Sequence, residues 1–227
     1  MHEKLRGKTI YGFGDSLVCG HCMKIGMLDY VAKSNQMKFT KYAIDGATVI
    51  PGIAKKIPGV IFVPDIAAQI ALASPEEPDF VCLDGMTNDA YPVVMEHYIG
   101  RISEGYDGGY DTTCFCGAFE KICYDLQKKY PSSRKFYICP HKMPSRDIAI
   151  QEKLHGLVKE MCGKWHISVI DMYEAGIIDT CEEELRMRYS YDNEGEQTGG
   201  DGTHLNEEGY RLWYAPAIEE ALAEGCE

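Results

Sequence analysis

The sequence predicts an α/β fold in which a five-stranded parallel sheet is covered by helices on both faces. Two observations lead to this prediction. Five short apolar runs alternate with helical stretches along most of the chain. The residues that follow several of these runs are small, polar or glycine, as expected where a buried strand ends in a loop. We find no internal repeat, low-complexity segment or linker, so one domain spanning residues 1–227 is the simplest organisation.

The first strand is predicted from its β-branched and aromatic residues, and it stops at Gly14-Asp15-Ser16. The later strands are short apolar runs of the same kind. In chain order, the predicted strands are Thr9 to Phe13, Lys38 to Ile44, Phe80 to Leu83, Lys135 to Cys139 and Ile167 to Asp171.

Helices are predicted between and after these strands. Pro64 suits the first turn of one helix, Asp147 falls in the first turn of another, and Asn206 caps the last. Glu207 and Glu208 are favourable at the positive end of that last helix. The predicted helices are Met23 to Lys33, Asp65 to Ala73, Phe115 to Tyr130, Asp147 to Cys162, Glu182 to Arg188 and Asn206 to Ala223.

Three stretches are predicted to be irregular. The first contains Pro51, Gly52, Pro58 and Gly59. Tyr91 to Thr113 has no clean period and is rich in tyrosine and glycine, which indicates a loop or lid that could form part of a substrate pocket. Residues 190–202 are polar and rich in glycine.

The composition limits which binding partners and which cellular location we expect for this protein. The formal net charge is −12 and no basic run offsets it, which disfavours nucleic acid or an anionic membrane as the main partner. No signal stretch or long apolar span is present, so we expect a cytoplasmic protein without stable membrane insertion. The ten cysteines are scattered, and most are expected to be reduced and buried.

The candidate functional residues follow the ends of strands. Ser16 comes after the first strand, Gly46 after the second and Asn88 after the third. Because the carboxyl ends of parallel strands lie at one edge of the sheet, these residues are expected to lie close together. Asp201 and His204 precede the last helix and can return to the same edge. The set supplies a hydroxyl nucleophile, an imidazole base, a carboxylate and oxyanion donors, which are the requirements of acyl transfer.

Four ordered blocks in this set resemble the SGNH/GDSL hydrolases, a family of esterases and lipases. The resemblance covers nearly the whole chain. The blocks are Gly14-Asp15-Ser16, the segment around Gly46, Thr87-Asn88-Asp89, and Asp201-Gly202-Thr203-His204.

The resemblance implies a flavodoxin-like three-layer α/β/α sandwich and a serine esterase that acts on a small-molecule ester. It implies that Ser16 is the nucleophile, His204 the base and Asp201 the residue that orients the imidazole. The oxyanion hole would consist of the backbone N–H groups of Ser16 and Gly46 and the side chain of Asn88. No metal or organic cofactor is implied. A small acyl ester such as an acetylated carbohydrate is the favoured substrate; a lysophospholipid or thioester remains open.

The chain departs from the family pattern at two positions. Met86 stands where glycine is usual, two residues before Asn88, and Gly85 precedes it. Asp45 stands where a small polar residue is usual. Neither change removes a proposed catalytic group, but both affect the shape of the pocket.

A thiol–disulfide redox function is the main alternative. Cys19-Gly20-His21-Cys22 lies between a strand and a helix, as redox C-x-x-C pairs do. This alternative leaves Asn88 and the Asp201/His204 pair unexplained. Nucleotide binding by Gly12-x-Gly14 is a weaker match, because Leu17 replaces the third glycine of that fingerprint.

The remaining histidines are expected to be structural or on the surface, although His21 and His141 occupy loops that can reach the pocket. The structural or surface interpretation is preferred for His2, His97, His141, His155 and His166, with His21 and His141 the least settled.

Overall fold

A parallel five-stranded sheet forms the centre of the protein in a computed structural model, which describes residues 2–56, 65–192, 195–196 and 199–224. The strand order is β2-β1-β3-β4-β5, and every neighbouring pair is parallel. This order is that of flavodoxin-like folds. The strands are β1 (Thr9–Phe13), β2 (Lys38–Lys41), β3 (Phe80–Leu83), β4 (Arg134–Cys139) and β5 (Ser168–Asp171).

Three helices pack on one face of the sheet around a large apolar core. They are α3 (Ile66–Leu72), α5 (Phe115–Lys129) and α6 (Ile148–Lys164). Asp65 and Asp147 cap α3 and α6, since each side chain accepts a hydrogen bond from a backbone N–H in the first turn. Asp147, which the sequence places in the first turn of this helix, is therefore the N-cap residue that precedes it.

The other face carries α2 (Met27–Asn35) and the C-terminal helical segment, which enclose a second apolar core. That segment consists of α8 (Glu207–Gly209), a π-helical turn (Tyr210–Tyr214) and α9 (Ala215–Glu224). The predicted cap is confirmed, because Asn206 Oδ1 accepts a hydrogen bond from the Gly209 N–H at 2.9 Å. The three-layer α/β/α prediction is therefore confirmed.

Three further short α-helices lie among the described residues, together with 3-10 turns at Glu3–Leu5, His21–Met23 and Ile53–Lys56. The first, α1 (Ser16–Cys19), begins at the candidate nucleophile. The second, α4 (Pro92–His97), corrects the prediction that Tyr91 to Thr113 is wholly irregular, because Pro92 occupies the first turn of a helix. The third, α7 (Glu183–Tyr189), lies within one residue of its predicted ends.

Two predicted boundaries shift. The helix predicted at Met23 to Lys33 begins only at Met27, because the Asp29 side chain accepts from the Gly26 N–H and fixes the start there. The second strand ends at Lys41 rather than Ile44. The N–H groups of Tyr42 and Ala43 both donate to Gly12 O, so the chain turns toward the end of β1 instead of extending the ladder.

Three residues singled out in the sequence, Pro58, Gly59 and Pro64, lie outside the described residues. Every cysteine within the described ranges is a free thiol. Across the same ranges, no helix has both the length and the apolar character needed to cross a bilayer.

Candidate active site

Ser16 lies at the carboxyl end of β1, at the first position of α1. Asp15 caps this helix, because its Oδ1 accepts a hydrogen bond from the Leu17 N–H at 3.1 Å. The serine is 4% exposed, so its hydroxyl lies in a small recess rather than on an open surface.

Gly14 allows the chain to turn before this serine. Its φ is +130°, and a Cβ built there would lie 1.6 Å from Asp84 Oδ1, so a larger residue does not fit. Gln69 of α3 holds the same glycine on both sides. The Gly14 N–H donates to Gln69 Oε1 at 2.9 Å, and Gln69 Nε2 donates to Gly14 O at 2.8 Å. A buried amide from a distant helix thus fixes the position of the serine.

His204 and Asp201 lie next to Ser16 in the described structure. His204 Nε2 is 2.9 Å from Ser16 Oγ, and His204 Nδ1 contacts Asp201 Oδ2. Asp201 Oδ1 also accepts from the backbone N–H groups of Thr203 and His204, each at 2.8 Å. The Asp-x-x-His spacing places the carboxylate in a tight turn, so that one oxygen holds the turn and the other faces the imidazole.

The protonation of this chain of groups follows from its electrostatics. Burial works to raise the pKa of Asp201, but hydrogen bonds from the His204 side chain and from backbone N–H groups outweigh it and leave that pKa lowered. Asp201 is therefore a carboxylate and can only accept a hydrogen bond. His204 Nδ1 carries the proton it donates to Asp201, which leaves Nε2 as the acceptor of the Ser16 hydroxyl.

The loop that carries Asp201 and His204 is anchored by His141, whose position the sequence left open. The fully buried ring donates from Nε2 to Gly202 O at 2.9 Å, and Nδ1 accepts from the Tyr214 hydroxyl at 2.7 Å. Burial lowers the pKa of His141 to about 4, so the ring is neutral near pH 7. Thr180 Oγ1 also donates to Gly202 O, at 2.6 Å.

Gly46 and Asn88 follow β2 and β3, and Asp89 ties their two loops together. Gly46 has φ +75°, and Asn88 Nδ2 donates to the carbonyl of the neighbouring Ala47 at 3.1 Å. The buried Asp89 carboxylate accepts from the N–H groups of Val49 at 2.8 Å and Ile50 at 3.0 Å. These contacts fix the second and third sequence blocks against each other.

A pair of buried acids, Asp15 and Asp84, lies beneath the serine turn. Asp84 Oδ1 accepts from the Asp15 N–H at 2.7 Å, and both Oδ2 atoms are buried with no hydrogen-bond donor among the described residues. Burial raises the pKa of both carboxyls, and the nearby Asp15 charge raises that of Asp84 further. A proton on Asp84 donated to Asp15 satisfies both buried oxygens, so we interpret the pair as sharing one proton.

The sequence left open whether His21 reaches the pocket. In the structure, the His21 ring stacks on the His204 ring. The two rings are nearly parallel, with centroids 4.0 Å apart. His21 Nδ1 lies 2.9 Å from Asp45 Oδ2, so the aspartate that departs from the family pattern holds a second imidazole against the first. The other departure, Met86, is buried at φ +121°, a strained backbone conformation that residues other than glycine rarely adopt.

A cavity of about 250 Å³ opens above these groups. Each of the described residues that line it is polar or charged. They are Ser16, His21, Asp45, Thr87, Asn88, Ser145, Arg146, Asp201, Thr203 and His204. Two tyrosines of the expected lid lie elsewhere, since Tyr106 and Tyr110 pack edge-on against Trp165, with ring centroids 5.1 and 5.8 Å away. Tyr106 and Tyr110 are therefore not among the described residues that line this cavity, whereas Tyr91 of the same stretch packs against Arg146, which does line it.

Other reactive groups are not among the described residues that line this cavity. Cys19 and Cys22 are free thiols, and burial raises the pKa of Cys19, which disfavours the thiolate that redox catalysis needs. Cys139, His155 and Asp171 have potential ligand atoms within 4.8 Å of one another. Lys159 Nζ is already 3.2 Å from Asp171 Oδ2 and supplies a positive charge there, so we interpret this cluster as structural.

By sequence alone, no protein-family model and no curated protein matches the chain. Solved structures do match. A Lactobacillus plantarum protein is 17% identical with a TM-score of 0.74, covering 97% of this chain and 98% of its own. The lipase/acylhydrolase from Enterococcus faecalis is 17% identical with a TM-score of 0.58, covering 96% of each chain.

A third structure, a member of the lipolytic G-D-S-L family from Veillonella parvula, is 18% identical with a TM-score of 0.57. The alignment covers 93% of this chain and 96% of that one. Likeness at this level of identity is evidence of fold. The chain has the SGNH/GDSL hydrolase fold, which confirms the fold implied by its four sequence blocks.

Proposed function

We propose that this protein is a serine esterase that cleaves a carboxylic ester through an acyl-enzyme intermediate. The observation that carries the proposal is the continuous contact from the Ser16 hydroxyl through His204 to Asp201. This arrangement provides a nucleophile, a base within hydrogen-bond distance of it and a carboxylate that orients the base. The shared fold with lipases and acylhydrolases supports the same reaction class.

In the proposed reaction, Ser16 Oγ attacks the ester carbonyl while His204 Nε2 accepts its proton. The carbonyl oxygen gains the negative charge, and we assign its stabilisation to the N–H groups of Ser16 and Gly46 and the amide of Asn88. When the tetrahedral intermediate collapses, the carbon–oxygen bond to the alcohol breaks and His204 gives its proton to the departing oxygen. Water then repeats these steps on the acyl-enzyme, releases the acid and restores the Ser16 hydroxyl.

We propose a short acyl group, such as the acetyl of an acetylated carbohydrate. The cavity of about 250 Å³ lies below the usual range of roughly 300–1,000 Å³ for pockets that hold drug-sized ligands. Its described lining is wholly polar or charged, which does not favour a long alkyl chain. A lysophospholipid or long-chain thioester would bring an apolar tail for which this cavity offers no matching surface.

A hydrolysis screen tests this function. The substrates are 4-nitrophenyl esters from acetate to palmitate together with acetylated mono- and oligosaccharides. We expect kcat/KM to be highest for acetyl or propionyl esters and to disappear in Ser16→Ala. Ser132→Ala is the matched control, because this exposed serine lies just before β4, at the opposite end of the sheet. Equal hydrolysis by wild type and Ser16→Ala would exclude the proposed mechanism, and a preference for palmitate would exclude the short acyl group.

A further inference from the structure

Arg146 is the arginine among the described residues that line the catalytic cavity. It lies in the loop between β4 and α6, immediately before the capping residue Asp147. The proposed reaction steps do not use it. It lines the same cavity as Ser16 and His204, so a group attached to a bound ester can meet it there.

The guanidinium is held in place by the neighbouring loops. Arg146 Nε donates to Thr87 O, and Nη1 donates to Ser145 O, each at 2.9 Å. The Tyr91 ring lies against its charged end, with 4.7 Å between the guanidinium carbon and the ring centroid. These contacts use part of a group that has five N–H donors, so donors remain for a ligand. An arginine fixed before binding loses little conformational freedom when it binds.

The positive charge of Arg146 has no carboxylate partner within ion-pair distance among the residues that the structure describes. The two acids in the cavity are already engaged, since Asp45 contacts His21 and Asp201 contacts His204. The chain as a whole has a net charge of −12. An arginine with no carboxylate partner among the described residues lines the same cavity as the candidate nucleophile, and in such an acidic protein it is suited to bind an anionic group.

We propose that Arg146 recognises an acidic oxyanion, of which a carboxylate is the simplest case, on the ester that this enzyme cleaves. The proposal rests on the proposed esterase function and specifies its substrate class. A planar guanidinium can bind both oxygens of a carboxylate with two parallel hydrogen bonds. The substrate is accordingly a small ester with an acidic group, such as an acylated sugar acid.

The acidic group can belong to either half of the ester, and two substrate pairs distinguish these sources. For the alcohol half, 4-acetoxybenzoate is compared with the neutral, similarly shaped 4-acetoxybenzamide. For the acyl half, 4-nitrophenyl monosuccinate is compared with the neutral 4-nitrophenyl ester of succinamic acid. We expect wild type to favour the anionic member of at least one pair by about 10- to 100-fold in kcat/KM, the range for a hydrogen-bonded charge.

Arg146→Gln is the test variant, and its rate ratio for each pair also corrects for differences in intrinsic reactivity. We expect Arg146→Gln to lower the ratio of kcat/KM for the anionic over the neutral member of a favoured pair by about 10- to 100-fold, and the test compares this ratio rather than the absolute rates. Arg146→Lys keeps the positive charge but loses the two parallel N–H donors of the guanidinium, so it should retain part of the preference for the anionic ester. Arg211→Gln is the matched control, because Arg211 pairs with Glu207 in the C-terminal helical segment. Thermal midpoints confirm that each variant is folded.

A binding measurement separates failure of this proposal from failure of the esterase function. The hydrolysis-resistant amides 4-acetamidobenzoate and N-(4-nitrophenyl)succinamate are titrated into wild type and Arg146→Gln by calorimetry. Tighter binding to wild type supports the anion site even if no ester is cleaved. If esters are cleaved but wild type and Arg146→Gln show the same ratios and the same amide affinities, the role of Arg146 is only to join the loops, and the proposal is wrong.

Discussion

Asn88 is the residue whose catalytic and structural roles are separated most cleanly by substitution. Its amide nitrogen has two N–H groups, and the contact to Ala47 O uses one of them. If the other stabilises the oxyanion, Asn88→Ala should lower kcat by about 100- to 1,000-fold with little change in KM. Asn88→Asp should be at least as impaired, because a carboxylate repels both the oxyanion and the Ala47 carbonyl.

The measurement for Asn88 combines steady-state kinetics with thermal unfolding of both variants. A residue that only holds the loop would show a lower thermal midpoint with kcat nearly intact. Near-wild-type kcat in Asn88→Asp would remove this side chain from the oxyanion hole.

Asp84 yields a prediction about pH. Its pKa is raised well above the usual value, chiefly by burial, so the folded protein retains a proton that the unfolded chain loses above about pH 4. The contribution of this group to stability is therefore largest at low pH and declines as pH rises through the window between the unfolded and folded pKa values. Asp84→Asn supplies a permanent amide donor to Asp15 and keeps the oxygen that accepts the Asp15 N–H.

We expect Asp84→Asn to lose less stability than wild type between pH 4 and pH 8 in denaturant unfolding. Asp84→Ala removes the acceptor for the buried Asp15 N–H and should cost about 1–3 kcal/mol. A wild type and Asp84→Asn with parallel stability curves across this range would contradict the shared proton.

The sequence identified the residues that carry the proposed chemistry but missed several that position them. Ser16, Asp201 and His204 lie together as their blocks indicate. Gln69 and His141 could not be found from the chain alone, because each acts on a backbone group more than fifty residues away. Such contacts depend on tertiary packing and leave no local pattern of spacing.

At the scale of elements, the segment from α1 to the following 3-10 turn contains the alternative redox pair, Cys19 and Cys22. Both thiols are free, and Cys19 is disfavoured as a thiolate by burial. We therefore expect the double variant Cys19→Ser/Cys22→Ser to retain most esterase activity, and added dithiothreitol to leave the wild-type rate unchanged. Cys181→Ser, at another exposed thiol, is the control for replacing a cysteine.

Complete loss of activity in a correctly folded double cysteine variant would favour the redox alternative. Turnover of a dithiol substrate by wild type and not by the variant would establish it.

The predicted and observed strands and helices agree best where a run of consecutive buried residues determines the element. The third strand is predicted at Phe80 to Leu83 and observed there, because all four residues are buried. The last helix is continuous as predicted, but the π-helical turn at Tyr210–Tyr214 is not visible in its sequence. The Tyr214 hydroxyl in that turn forms a hydrogen bond with the His141 ring, so the π-helical turn takes part in a tertiary contact. The start of α2 could likewise not be predicted from the sequence, because it depends on the cap at Gly26.

At the scale of the whole molecule, the order of strands explains why distant sequence blocks meet. β1 lies between β2 and β3, so the loops that carry Ser16, Gly46 and Asn88 leave neighbouring strands at the same edge. The C-terminal segment packs on the face of the sheet opposite α3, α5 and α6, and the loop before it delivers Asp201 and His204. The fold does not explain the net charge of −12. Arg146 is a positively charged residue at the cavity of this acidic chain.

The most direct test of the central proposal is covalent labelling by a fluorophosphonate, which reacts with a serine activated by a neighbouring base. The labelled peptide is identified by mass spectrometry in wild type, Ser16→Ala, His204→Ala and the control Ser132→Ala. We predict a single modification at Ser16 in wild type and Ser132→Ala, much slower labelling of His204→Ala, and none of Ser16→Ala. Labelling that persists in Ser16→Ala, or ester hydrolysis by a wild-type protein that the probe does not modify, would contradict the assignment of Ser16 as the nucleophile.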